Sequence, residues 1–181
     1  MEKITDNIVC LDALELSQTI RRRELSCREV MKAYLSHIGQ VNPQVNAIVS
    51  LQEEDDLLRQ ADARDEELRQ GICQGVLHGV PQAVKDLALT KGIRTTMASP
   101  IFKDYVPTED AIIVERVKAS GAIIIGKTNT PEFGLGSQTF NNVFGVTRNA
   151  YDQRMAAGGS SGGAAVALAL RMLPVADGSD M

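Results

Sequence analysis

Four glycines bracket two serines directly ahead of an unbroken alanine-rich run in AAGGSSGGAAVALAL, residues 156–170. Any fold for this chain must hold a loop of such freedom at the mouth of a helix expected over 162–172. Gly158, Gly159, Gly162 and Gly163 permit backbone conformations that other residues reach only with strain. Ser160 and Ser161 fall where the free N–H groups of the helix gather, a place that favours negative charge. Two uses fit: a serine N-cap after a glycine loop, or hydroxyls held ready for chemistry.

The segments before this loop alternate helix and strand. Over 12–24, Leu14, Leu16 and Ile20 sit among polar residues in a loosely amphipathic helix. Ser26-Cys27-Arg28-Glu29 fits a capping box. Behind it Val30, Met31, Tyr34, Leu35 and Ile38 recur at three- and four-residue spacing, one face of a helix, and Pro43 is expected after its end. A short apolar run over 47–51 reads as a strand. Residues 53–70 form a charged helix whose acidic start suits the helix dipole, with Leu57, Leu58, Ala61 and Leu68 inward. Gly79 and Pro81 introduce an apolar strand that ends on Lys85-Asp86. A helix over 109–120 is expected to turn Ile112, Ile113 and Val117 inward, and 122–125 is a β-branched strand. Residues 127–150, rich in Asn, Thr, Gly and Phe, lack periodicity and read as a long ordered loop of the kind that carries function. LPVADGSDM reads as a last strand running into a turn. The alternation predicts one α/β domain with helices packed around a sheet.

GAIIIGKT at 121–128 matches a phosphate-loop pattern letter for letter. Such a loop needs flexible residues between its glycines and a helix after them. Ala-Ile-Ile-Ile instead favours a buried strand, and Pro131 stands where the helix should run. The segment is therefore expected to be a core strand with Lys127 emerging at its end.

Lys85 is a stronger candidate for chemistry. It closes the apolar run 80–84, so its amine is expected to be partly desolvated. Desolvation lowers a lysine pKa and makes a neutral amine available as a base. A neutral lysine hydrogen-bonded to a serine activates a hydroxyl without histidine. His37 lies on the amphipathic helix and His78 in a glycine turn, and neither is expected near Ser160 or Ser161.

Composition removes other classes. The 19 basic and 23 acidic side chains are mixed along the chain with no basic stripe, and Trp is absent, which argues against direct nucleic-acid binding. Cys10, Cys27 and Cys73 are odd in number and far apart, so neither a disulfide framework nor a zinc site is expected. Reduced thiols suit a cytoplasmic protein. The N-terminus has no signal pattern, and no apolar run approaches the roughly 18 residues of a membrane span.

GVPQAVKD, GAIIIGKTNTPEFGLGSQTFNNVFG and GGSSGGAAVALA, in this order, resemble the amidase signature family of amide hydrolases, from about residue 12 to the last residue. The resemblance implies a mixed β-sheet flanked by helices, with 1–181 the N-terminal part of a single amidase domain, incomplete at its C-terminus. It implies a Ser–cis-Ser–Lys triad with neither cofactor nor metal. Lys85 corresponds to the catalytic lysine and Ser160 to the bridging serine after a cis peptide, with Ser161 left to helix capping or loop bonding. The family presents its nucleophilic serine on a turn of polar-Asp-x-Gly-Gly-Ser form. Here that turn begins as Ser179-Asp180-Met181, with Met181 at an oxyanion-hole position, and the nucleophilic serine is expected beyond residue 181. Ala164 and Ala150 depart from residues often found in the family, and neither touches the triad. Ser137 and Asn129 in the long loop either approach substrate or order the loop.

The resemblance implies hydrolysis of a carboxamide C–N bond through an acyl-enzyme. The alternative is a non-catalytic remnant or scaffold subunit that keeps the fold. The expected partners are a small-molecule amide and either a second copy or a complementing chain, with no nucleic acid and no membrane. Alone, the chain is expected to be inactive and poorly stable.

Overall fold

The computed structural model describes residues 8–180. Helix α1, Ala13–Arg21, starts on Asp12, whose carboxylate accepts the Glu15 N–H at 2.8 Å, and buries Leu16 and Ile20. Helix α2, Cys27–Val45, opens on the expected capping box: Ser26 Oγ accepts from Glu29 N–H, and the Glu29 carboxylate accepts from Ser26 N–H. Val30, Met31, Tyr34 and Ile38 are buried along its inner face.

Pro43 lies inside α2 rather than after it. It falls in the last turn, where one lost N–H bond is tolerable, and the helix closes when Asn46 N–H reaches the Asn42 carbonyl. Asn42 then organises the exit: its Oδ1 accepts from Ala47 and Ile48 N–H, and its Nδ2 donates to Ile48 O. This delivers the chain into strand β1, Ile48–Val49. Helix α3, Glu54–Arg69, buries Leu57, Leu58, Ala61 and Leu68; most of its charges face outward, while the Asp65 carboxylate accepts from Cys27 and Arg28 N–H at the start of α2.

The sheet has the order β1-β3-β2, with β2 at Pro81–Lys85 and β3 at Ile123–Thr128. Strands β2 and β3 run parallel, and β1 runs antiparallel to β3, so the sheet is mixed as expected. Every residue of β2 and β3 is buried, as a strand covered on both faces requires. One face packs in the main core with α2, α3 and α5, Gly162–Ala169. On the other, helix α4, Ile112–Ala119, sets Val114 against Val84, Ile93 and Ile124.

The inner face of α4 matches the expected one at Val117 only. Ile112 is 69% exposed and Ile113 49%, while Val114 is fully buried and Val117 partly so. The stripe runs 111, 114, 117, one residue out of phase with the Ile-Ile pair, because the site on β3 is already set by Ile124. GAIIIGKT forms β3, as its β-branched run demands, but Lys127 does not emerge. It is fully buried, with Nζ donating to the Ala88 carbonyl and to Thr90 Oγ1. The loop after β3 contains two short strands, β4 at Phe140–Asn141 and β5 at Gly145–Val146. LPVADGSD is irregular backbone rather than a strand. Where a neighbouring strand would offer a carbonyl to Lys85 N–H, the Asp177 carboxylate accepts it, both oxygens at 3.1 Å. Among the described residues no helix is long and apolar enough to cross a membrane.

Candidate active site

Parallel pairing sets Lys85 opposite Thr128 at the carboxyl ends of β2 and β3, the edge where open α/β sheets place ligands. Directly beyond β2, Asp86 is buried and folds the following loop back. Its carboxylate accepts from Thr96 N–H, Thr96 Oγ1 and Ala98 N–H. Met97, Ala98 and Phe133 all adopt left-handed backbone, and Phe133 N–H donates to the Met97 carbonyl at 2.8 Å. Non-glycine residues in that region are strained and tend to gather at functional sites.

The glycine–serine loop enters from the other side. The Gly159–Ser160 peptide is cis. None of Gly158, Gly159, Gly162 and Gly163 has positive φ, so backbone freedom is not what the four supply. Three of them supply closeness. A Cβ on Gly159 would lie 2.9 Å from the Gly136 carbonyl; one on Gly162 would strike the Thr139 hydroxyl, and one on Gly163 the backbone of Asn129. Gly158 has open space around it.

The result is a cluster around one amine. Lys85 Nζ lies 2.7 Å from Ser160 Oγ, 3.0 Å from Ser161 Oγ and 2.8 Å from Ser179 Oγ. Lys85 is only 2% exposed. Desolvation lowers its pKa from the ordinary lysine value, and Asp177 and Asp180 partly oppose the shift. As an ammonium it donates to all three hydroxyls. As a neutral amine it donates to two and accepts the proton of the third, so deprotonation leaves none of these four atoms unpartnered.

Ser161 occupies the N-cap position of α5 without making a capping bond. Its hydroxyl is drawn instead to Lys85 and accepts the Ser179 N–H at 3.1 Å. Capping therefore does not account for it. Ser137 contributes its carbonyl, which accepts Gly159 N–H at 2.8 Å, and its exposed side chain lines a cavity of about 410 Å³ with Leu135, Phe140 and Asn141. Asn129 takes the loop-ordering role. It is buried, donates to Thr147 Oγ1, and accepts from Asn141 Nδ2. Asp180 is exposed, and Met181 lies outside the described residues. His78 is structural: its Nδ1 accepts from Gln74 N–H and its Nε2 donates to Arg64 O. His37 Nε2 meets the Leu170 carbonyl. Sequence reasoning missed Ser179 and Asp177 as neighbours of Lys85, because their approach depends on the path of irregular backbone.

The profile of the Amidase family matches residues 29–181. A glutamyl-tRNA(Gln) amidotransferase subunit of Alkaliphilus metalliredigens is 43% identical over 159 residues, 88% of this chain and 32% of that protein. The solved peptide amidase of Stenotrophomonas maltophilia superposes with a TM-score of 0.85 at 32% identity, over 92% of this chain and 35% of that one. A fatty acid amide hydrolase gives 0.92 at 26% identity, over 100% of this chain and 32% of that one. The chain spans about a third of the length of the relatives it matches. In sequence and in fold alike, the chain belongs to the amidase family, the amidase signature enzymes.

Proposed function

We propose that this chain carries the proton-relay half of an amide-hydrolysing centre, with Lys85 as base and Ser160 as bridge. The single observation that carries the reading is the 2.7 Å contact between a buried, desolvated Lys85 Nζ and Ser160 Oγ. Neutral Lys85 takes the Ser160 proton while Ser160 Oγ takes one from an attacking serine. The serine oxygen bonds to the amide carbonyl carbon, and the C–N bond then breaks. The leaving amine collects its proton by the reverse path, and water, deprotonated by the same relay, hydrolyses the acyl-enzyme.

The attacking serine is assigned to sequence outside residues 1–181, on the remainder of the polypeptide or on a complementing chain. The relatives' greater length supports that assignment. Relatives named for peptide amides, fatty acid amides and amidotransfer have the amide C–N bond in common, so a carboxamide is the substrate class.

The test uses the complete reading frame. Lys85→Ala is expected to lower amide turnover by several orders of magnitude with the fold retained. Lys85→Arg is expected to be no better, because a guanidinium stays protonated. Near-normal turnover in the arginine variant would overturn the relay.

A further inference from the structure

Ser160 is held from both sides, and the hold on its C-terminal side comes from a residue the relay does not use. On the N-terminal side the 137–139 segment grips the loop: Gly159 N–H donates to Ser137 O, and Thr139 Oγ1 donates to Gly158 O. On the other side the Thr130 hydroxyl donates to the Ser160 carbonyl at 3.0 Å. Thr130 is fully buried, and its own backbone is pinned. Its N–H donates to Asn129 Oδ1 at 3.0 Å, and its carbonyl accepts from Asn141 Nδ2 at 2.8 Å.

Thr130 stands two residues past Thr128, the residue of β3 paired in parallel register with Lys85 on β2. A short path therefore runs from the Lys85 backbone, across one strand pair to the end of β3, along the two residues that follow it, and through one hydroxyl to the Ser160 carbonyl. Holding that carbonyl restricts the ψ of Ser160 and, with it, the direction of the Cα–Cβ bond that carries its hydroxyl. We infer that Thr130 is a positioning residue that sets the spacing between Lys85 Nζ and Ser160 Oγ by tying the serine to the sheet that carries the lysine. The inference rests on the relay reading above. It asks for a hydroxyl at 130, not for bulk, since the site is already packed. A misplacement of about 1 Å between reacting groups can cost roughly 100-fold in rate.

The experiment compares Thr130→Val, close in shape but without a donor, with Thr130→Ser, which keeps the donor, in the complete enzyme. Thr130→Val is expected to lower kcat by about 10- to 100-fold with KM changed by less than about threefold. Thr130→Ser is expected to return kcat to within about threefold of the parent. In crystals, the Lys85–Ser160 distance should exceed hydrogen-bond reach in the valine variant and hold in the serine variant, a readout that needs no activity. Thr130→Ala serves as a second donor-free variant if valine folds poorly, with kcat taken per folded molecule. Equal kcat in the valine and serine variants, a change confined to KM, or an unchanged crystallographic distance would overturn the inference. A Lys85→Ala enzyme with full turnover would instead remove the relay on which it rests.

Discussion

Asp177 interacts with both buried lysines, and its charge is part of what each one experiences. It opposes the desolvation that lowers Lys85, and it does the same for Lys127. Asp177→Asn keeps an acceptor for Lys85 N–H but removes the anion that favours the ammonium. The Lys85 pKa must then fall further, so neutral base is present at lower pH. The acid limb of the kcat/KM profile is expected to move to lower pH; an unmoved limb, or one displaced upward, would show that Asp177 does not act on Lys85 through charge. Lys127 allows a second test. Burial brings its pKa down to about 8, against roughly 10.4 in an unfolded chain. Between these values the unfolded state holds a proton that the folded state has released, so stability gains from rising pH. Below about pH 8 both states are protonated and the cost is fully present. Lys127→Met is expected to remove a slope of up to about 1.4 kcal/mol per pH unit from the stability curve above pH 8. Denaturant titrations at stepped pH would read it as a difference between parent and variant. Equal slopes would place the Lys127 proton elsewhere.

Among the elements, α4 shows how a strong local signal can point the wrong way. Ile112-Ile113 is its most apolar pair, yet the helix turns Val114 to the sheet and leaves both isoleucines on the outside. Burial on the far side of β3 is decided by which residues Val84, Ile93 and Ile124 can receive. Val114→Ala is expected to cost about 2 kcal/mol, the transfer and cavity cost of two buried methyls. Ile112→Ser is expected to stay within about 0.5 kcal/mol. Urea midpoints at constant m-value would measure both, and the opposite ranking would return the isoleucines to the core. By contrast, the start of α2 follows its local signals: the capping box at Ser26 and Glu29 forms as the spacing demands, since both partners lie within one turn.

Over the whole molecule, a two-sided sheet core coexists with apolar side chains left in water. Ile101, Tyr105, Phe133 and Leu135 are exposed on two loops that meet near the carboxyl ends of the strands, where Phe102 touches the rings of both Tyr105 and Phe133. Ile112, Ile113 and Val106 are exposed as well. Apolar surface of this kind favours association. The 181-residue chain purified alone is expected to self-associate and to bind a hydrophobic dye. It is also expected to show no serine-dependent turnover of a reactive amide. Sedimentation velocity and fluorophosphonate labelling check the two halves; a monodisperse monomer, or stoichiometric labelling of Ser160, Ser161 or Ser179 with turnover, would contradict them.

Several features needed only neighbouring residues. The capped starts of α1 and α2, the β-branched run of β3, the two serines at the mouth of α5, and Lys85 at the end of an apolar strand each depend on interactions within a few positions of chain. The order of three sequence segments was enough to point to the family. The contact that makes them a site was of another kind. Lys85 and Ser160 are 75 positions apart, and their 2.7 Å approach depends on strand register, the Thr130 tie and the close packing of Gly159, Gly162 and Gly163. The glycines were legible as freedom in φ, yet Gly159 and Gly163 let backbones meet and Gly162 admits the Thr139 side chain, which depends on what lies across from them. Lys127 was legible as the end of a strand, but only the fold of 86–90 around its amine buries it. Segments distant along the chain meet under packing and desolvation constraints that no local pattern encodes, so the chemistry was written in the residue types and its geometry was decided by the tertiary structure.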